Sequence, residues 1–127
     1  MNTQRFTQKS MTALGDAQSI ATRNSNQQLE QIHLFLALLS DPEGLATGIF
    51  GKMGTDVAAV KRALEAAVER LPKVRGSATE AGKIYVSQSL NEALALAEEK
   101  ADAMQDDYVS VEHLLLALTE KADATLA

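Results

Sequence analysis

Two short patterns in this sequence of 127 residues place a histidine beside a carboxylate. Glu30 and His33 stand three residues apart, which on a helix puts both side chains on one face and matches half of a di-iron carboxylate motif. Glu112 and His113 are adjacent, so on a helix their side chains would point about 100° apart. A di-iron centre needs a second such pair and two further glutamates, so we predict neither a metal nor a cofactor. We expect both histidines to be partly buried, hydrogen-bonded framework residues.

A glycine-rich segment, Gly51-Lys52-Met53-Gly54, superficially resembles a phosphate-binding loop. That loop has the pattern GxxxxGK[ST], in which backbone amides and the lysine hold phosphate oxygens. Here the upstream glycine is missing and Met53 replaces the serine or threonine. The chain has no cysteine and only two histidines, so a nucleophile–base–orienter triad has little to work with. We therefore predict no catalytic residue and no enzyme activity.

The composition is typical of one globular helical domain. Hydrophobic residues make up 46% of the chain and charged residues 23%, with few glycines and prolines. The net charge of −5 argues against nucleic acid as the main partner. No apolar run approaches the roughly 18 residues of a membrane span. Because a signal-peptide core and cysteines are absent, we predict a cytoplasmic protein that binds neither nucleic acid nor membrane.

The sequence matches itself at an offset of 80 residues, which predicts a duplicated helical unit. The segment HLFLAL at 33–38 faces HLLLAL at 113–118, and the alignment runs without a gap. The first unit reads as four helices, whereas the second stops before its last two. We predict an all-α domain at 1–127, divided into repeat one (6–71), a linker (72–85) and a truncated repeat two (86–127).

Capping residues and apolar stripes at helical spacing place the predicted helices. The predicted N-caps are Thr7, Asp41 (followed by Pro42), Thr55 or Asp56, Ser87 and Ser110. We expect Pro72 to stop the fourth helix. The predicted buried stripes are Val57, Val60, Leu64, Val68 and Leu71 on the fourth helix, and Leu90, Leu94, Ala97, Ala101 and Met104 on the fifth.

The second unit carries apolar residues at three positions where the first is polar: Leu96 for Asp16, Tyr108 for Gln28 and Val111 for Gln31. Leu96 lies more than about 100° away from the apolar stripe of its helix, so we expect it to be exposed. An exposed apolar cluster with acidic neighbours is typical of a site for extended apolar or basic peptide. Alternatively, these side chains pack against the linker or the missing helices.

Four segments together resemble the Clp N-terminal repeat family: RFTQKSMTAL, NQQLEQIHLFLALL, MGTDVAAVKRALEAAVERLPKVRGS and YVSVEHLLLAL. The RLPKVRGS linker favours the N-terminal domain of ClpB-type AAA+ disaggregases over protease-associated subunits. This resemblance implies two four-helix repeats related by pseudo-two-fold symmetry. It also implies a flexible tether to a hexameric ATPase that alone uses ATP, and capture of unfolded or aggregated protein.

The resemblance further implies that Thr7, Asp106 and Glu112 take part in substrate handling. Each also has a structural interpretation, because Thr7 can cap the first helix, Asp106 lies in a turn and Glu112 suits the first turn of the sixth helix. Together with Leu96, Tyr108 and Val111 they form the predicted substrate-binding set. The alternative function is a docking domain for an adaptor or co-chaperone of a Clp protease ATPase, using the acidic surface.

Overall fold

The computed structural model of this chain describes residues 4–41, 44–71, 73 and 85–121. These residues form an all-α fold, as predicted, with one short pair of strands. In chain order the elements are α1 (Gln8–Arg23), β1 (Gln28–Leu29), α2 (Gln31–Leu39), α3 (Leu45–Lys52), α4 (Val57–Glu69), β2 (Tyr85–Val86), α5 (Gln88–Ala103) and α6 (Val111–Glu120). Within these ranges, no helix combines the length and apolar character needed to cross a bilayer.

The predicted N-caps of α1, α4 and α5 are confirmed. Thr7 Oγ1 accepts a hydrogen bond from the Ser10 N–H at 3.1 Å, and Ser87 Oγ accepts one from the Leu90 N–H at 3.1 Å. Asp56 caps α4 in the same way. Each cap satisfies an N–H that the first turn of a helix leaves without a partner. The caps of α1 and α5 lie 80 residues apart.

The ends of α1 and α5 also correspond at this spacing. After α1 the backbone of Ser25 turns left-handed with φ of 57°, and after α5 Gln105 does so with φ of 61°. Such a residue reverses the chain direction after a helix. Gly54, with φ of 76°, has the same role between α3 and α4. Equal bounds, caps and reversals support the duplication, and the superposition of complete four-helix repeats stays a prediction.

The predicted start of α3 is wrong. The helix begins at Leu45 with Gly44 as its N-cap, rather than at Asp41 and Pro42. The reason is a turn, in which the Asp41 carbonyl accepts the Gly44 N–H at 3.0 Å and the Thr47 hydroxyl at 2.8 Å. Asp41 and Gly44 therefore both precede the helix. Pro42 itself lies outside the described residues, as does Pro72, the predicted stop of α4.

Two parallel backbone contacts join the halves of the domain. Leu29 of β1 pairs with Val86 of β2, and Phe6 forms a bridge with Val109. At the 80-residue spacing Phe6 corresponds to Val86, and Leu29 corresponds to Val109. The two contacts are therefore equivalent, and each half contributes the same two backbone positions. Tyr85, assigned above to the linker, is therefore part of a strand. These contacts hold the start of each half beside the segment that leads into the second helix of the other.

The core lies between α1, α2, α5 and α6. Helix α2 is its centre, because eight of its nine residues are buried. The largest fully buried apolar side chains are Ile32, Leu34, Leu39, Leu90, Leu114 and Leu118. Four residues of the α5 stripe are buried as predicted, but Met104 is 48% exposed because α5 ends before it.

Helix α4 lies at the edge of this core, against α2 and α3. Of its predicted stripe only Val68 is fully buried. The other four residues are half-buried and pack against the core: Val57, Val60, Leu64 and Leu71. The helical spacing of the stripe is therefore confirmed, but most of its residues are less buried than we predicted.

Candidate functional site

Three helices, α1, α3 and α6, begin around one open groove. One part of the groove has a volume of about 450 Å³ and is lined by Thr7, Gln8, Lys9, Leu45, Ser110, Val111 and Glu112. A second part of about 190 Å³ is lined by Lys9, Thr12, Ala13, Asp16, Ala37, Leu38, Asp41, Gly44, Leu45 and Val111. Because three residues line both parts, we treat them as one and call it the α1–α3–α6 groove.

The groove combines accessible apolar side chains with acidic groups. Leu45 is 44% exposed and Val111 is half-buried, so each presents apolar surface to a ligand. Three carboxylates, those of Asp16, Asp41 and Glu112, line the groove against a single lysine, Lys9. Among the described residues, no lysine or arginine pairs with Asp16 or Glu112. The geometry therefore suits an extended segment with apolar and basic side chains.

Thr7, Val111 and Glu112, three of the predicted site residues, meet in this groove. Thr7 has a structural role as well. Its hydroxyl donates to Ser10 Oγ at 3.0 Å, and the Ser10 hydroxyl donates to the Val109 carbonyl at 2.9 Å. This chain of hydrogen bonds fixes the start of α1 relative to the segment that leads into α6. The cap of Thr7 thereby holds two walls of the groove together.

Asp106 lies beside the groove and contacts a buried histidine. Its Oδ2 accepts a hydrogen bond from Nε2 of His113 at 2.9 Å. Nδ1 of the same ring accepts the backbone N–H of Ser110 at 2.8 Å, so the ring proton resides on Nε2. Asp106 therefore orients the histidine that caps α6. Glu112 extends from the same first turn and is exposed.

The first half contains the same arrangement without the charge. Nε2 of His33 lies 3.0 Å from Oδ1 of Asn26, and its Nδ1 accepts the Glu30 N–H at 2.9 Å. Burial lowers the pKa of His33 from 6.5 to about 4, because the buried site disfavours the charged ring. Both histidines are hydrogen-bonded framework residues, as predicted, and they are fully buried rather than partly so.

A metal ion is not favoured at this cluster. Ligand atoms of Asp106, Glu112 and His113 do lie within 4.8 Å of one another. A metal-bound histidine donates a hydrogen bond through its second ring nitrogen. In His113 that nitrogen accepts the N–H of Ser110 instead. The hydrogen bonds therefore fit a structural Asp–His pair.

Tyr108 lies outside the groove, in the loop between α5 and α6. Its side chain is 61% exposed, as predicted. The guanidinium group of Arg5 holds this loop by donating to the carbonyls of Asp106 and Asp107, each at 3.2 Å. Tyr108 is thus presented on a fixed loop, although it lines neither part of the groove.

Leu96 is half-buried and packs against the core, so the expectation that it is exposed is wrong. The reason is Ala93, which is buried although it lies outside the predicted stripe. At about 100° per residue, Ala93 extends the buried face of α5 by about 40° beyond Ala97, so that the face ends about 60° from Leu96. Leu96 lines neither part of the groove.

Sequence reasoning missed Lys9, Asp16, Asp41 and Leu45 as residues of the groove. They come from α1, from α3 and from the turn that precedes α3, and they meet Val111 of α6 only after folding. One signal was present in the sequence, the replacement of Gln31 by Val111 at the 80-residue spacing. It marked the apolar position but not the acidic residues around it.

The chain belongs to the family of Clp repeat (R) N-terminal domains, whose model matches residues 5–127. The chaperone protein ClpB of Bacillus cereus is 42% identical over 121 residues, which cover 95% of this chain. The chain spans 14% of the length of that relative. It is thus an N-terminal domain of the AAA+ chaperone type, and the ATPase modules of such relatives lie outside the matched residues.

Solved structures share this fold. The N-terminal domain of the ClpV1 ATPase from E. coli EAEC Sci1 T6SS is 27% identical, with a TM-score of 0.80 over 91% of this chain and 68% of that one. A chain in a structure described as a peptide from the EAEC T6SS Sci1 SciI protein is 26% identical. Its TM-score is 0.80 over 91% of this chain and 71% of that one.

Proposed function

We propose that this domain captures unfolded or aggregated polypeptide and passes it to a hexameric ATP-driven disaggregase motor. The observation that carries the proposal is the α1–α3–α6 groove, in which Leu45 and Val111 offer apolar surface beside Thr7 and Glu112. Unfolded chains expose the apolar side chains that folded proteins bury, and such a groove can cover them. Two similarities support this function: one to a ClpB chaperone, and one to a chain in the structure described as a peptide from the SciI protein.

The domain would bind without chemistry of its own. ATP would be used only by the rest of the hexamer, which is its partner in the assembly. We expect purified chain neither to bind nor to hydrolyse ATP, because the segment from Gly51 to Gly54 is the end of a helix and the turn after it. ATP turnover that follows the protein through purification would contradict this expectation.

Binding of an unfolded model protein to this chain tests the proposal, with one matched pair of variants. Leu45 lines the groove and is 44% exposed, whereas Leu116 on α6 is 43% exposed and lines neither part of it. Burying a leucine is worth about 1.5–3 kcal/mol, so we expect Leu45→Ser to weaken binding about tenfold or more. Leu116→Ser should leave the dissociation constant within about twofold.

Fluorescence anisotropy with a labelled, permanently unfolded protein measures these dissociation constants. The same protein in its folded form is the negative control. Equal loss in both variants, or no binding by the unmodified chain, would contradict the proposal. An adaptor-docking domain, the alternative function, would instead bind one folded partner and ignore unfolded chains of varied sequence.

A further inference from the structure

The groove has a counterpart in the second half of the domain, and there a side chain of the protein closes it. Gln31, the first residue of α2, is fully buried. Its Nε2 donates to the Ser89 carbonyl at 2.9 Å and to the Lys121 carbonyl at 2.8 Å. The carboxamide thus fills the space between α5 and the end of α6, and it ties the first half of the domain to the second.

Val111 stands at the matching position on the other side. It is the first residue of α6, as Gln31 is of α2, and it lies 80 residues further along the chain. The counterparts of Ser89 and Lys121 at this spacing are Lys9 and Asp41. A valine has no donor with which to bridge two carbonyls. Lys9, Asp41 and Val111 accordingly line an open groove.

We propose that Val111 keeps the α1–α3–α6 groove open and that the groove takes a client segment of defined chemistry. That segment places a lysine or arginine side chain at Asp16, and an apolar side chain on Leu45 and Val111. This inference rests on the proposed function, because it names the class of polypeptide that the same groove selects.

The choice of a basic side chain follows from the acidic groups of the groove. Asp16 and Asp41 line the same part of it, and Asp16 is exposed with no ion pair to another described residue. The Asp41 carbonyl already accepts the Gly44 N–H and the Thr47 hydroxyl. The carboxylate of Asp16 therefore provides the attraction for a cation, and the charge of Asp41 adds to the negative potential of this part of the groove. An acidic segment would meet three carboxylates and one lysine.

Three labelled peptides of ten residues test this selectivity against the chain. The first alternates leucine and arginine, the second leucine and glutamate, and the third serine and arginine. We expect the leucine–arginine peptide to bind at least about tenfold more tightly than either of the others, because only it satisfies both the apolar and the acidic groups. Equal binding of the leucine–arginine and leucine–glutamate peptides would overturn the choice of a basic partner.

Two variants test the residues themselves. Val111→Gln places in α6 the same side chain that closes the counterpart of the groove in the second half. We therefore expect it to weaken binding of the leucine–arginine peptide at least about fivefold while the protein stays folded. Asp16→Asn should weaken binding of the same peptide about threefold or more. Glu99→Gln removes an exposed carboxylate from α5, outside the groove, and should change binding by less than about twofold.

These measurements separate the failure of this inference from the failure of the proposed function. If unfolded protein binds while Val111→Gln and Asp16→Asn have no effect, the inference is wrong and the capture function stands. If neither unfolded protein nor any peptide binds, both are wrong. A loss in Glu99→Gln equal to that in Asp16→Asn would mean that overall charge, rather than the groove, selects the peptide, and would also overturn the inference.

Discussion

The carboxylate of Asp106 accepts a hydrogen bond from Nε2 of the buried His113 at 2.9 Å. At the corresponding place in the first half, an asparagine holds His33 at 3.0 Å. An uncharged side chain therefore performs the same structural task. The negative charge of Asp106 is not needed to orient the histidine, which makes its structural and its binding role separable by substitution.

Asp106→Asn should preserve the fold, because the amide oxygen can accept the same hydrogen bond. We expect the free energy of unfolding to change by less than about 1 kcal/mol. Asp106→Ala leaves the buried ring nitrogen without its partner and should cost about 1–3 kcal/mol. Urea denaturation of both variants measures the difference. Equal destabilisation by the two substitutions would show that the charge itself matters to the fold.

Thr7 offers a similar separation at the start of α1. Thr7→Ser keeps the hydroxyl that caps the helix and donates to Ser10, so stability should stay within about 0.5 kcal/mol of the unmodified chain. Thr7→Ala removes both interactions and should lower stability by about 1–2 kcal/mol. Thermal unfolding of the two variants checks this. If both bind unfolded protein as tightly as the unmodified chain, then Thr7 acts as a cap alone.

His33 predicts a pH dependence of stability. Its pKa is about 4 in the folded state, against 6.5 for a histidine in the unfolded chain. As the pH falls below 6.5, the unfolded state takes up a proton before the folded state does. The free energy of unfolding should therefore decrease between about pH 6.5 and pH 4, by up to about 3 kcal/mol.

The control for this prediction is His33→Gln. Glutamine at the third position of a helix can accept the backbone N–H of Glu30 and cannot titrate in this range. Urea denaturation between pH 7 and pH 5 should give a shallower pH dependence for the variant. Identical slopes would show that His33 does not contribute.

Leu94 and Leu96, two residues apart on α5, should differ in their contribution to stability. Leu94 is fully buried, so Leu94→Ser should cost about 2–5 kcal/mol through a cavity and a buried hydroxyl. Leu96 is half-buried, and Leu96→Ser should cost about 1 kcal/mol. Thermal unfolding compares them. A loss in Leu96→Ser as large as that in Leu94→Ser would place this leucine in the core.

The prediction that Leu96 takes part in substrate binding can be tested separately. Because it lies outside the α1–α3–α6 groove, weaker client binding in a folded Leu96→Ser variant would reveal a second contact surface on α5. Unchanged binding would confine the site to the groove. The same anisotropy measurement used for Leu45 decides between these outcomes.

The sequence alone determined the helices and most of their caps, because these features depend on neighbours within a few residues. Comparison of the sequence with itself revealed the 80-residue correspondence. It failed at Asp41 because a local turn competed with the helix, and at Leu96 because a buried alanine widened the helix face. The groove was decided only by the tertiary structure. Its walls come from residues as far apart in the chain as Lys9 and Val111, and no periodicity or cap records which side chains meet when distant helices pack. At Gln31 the closure depends both on a side chain that can donate and on the two carbonyl groups that the fold brings within its reach.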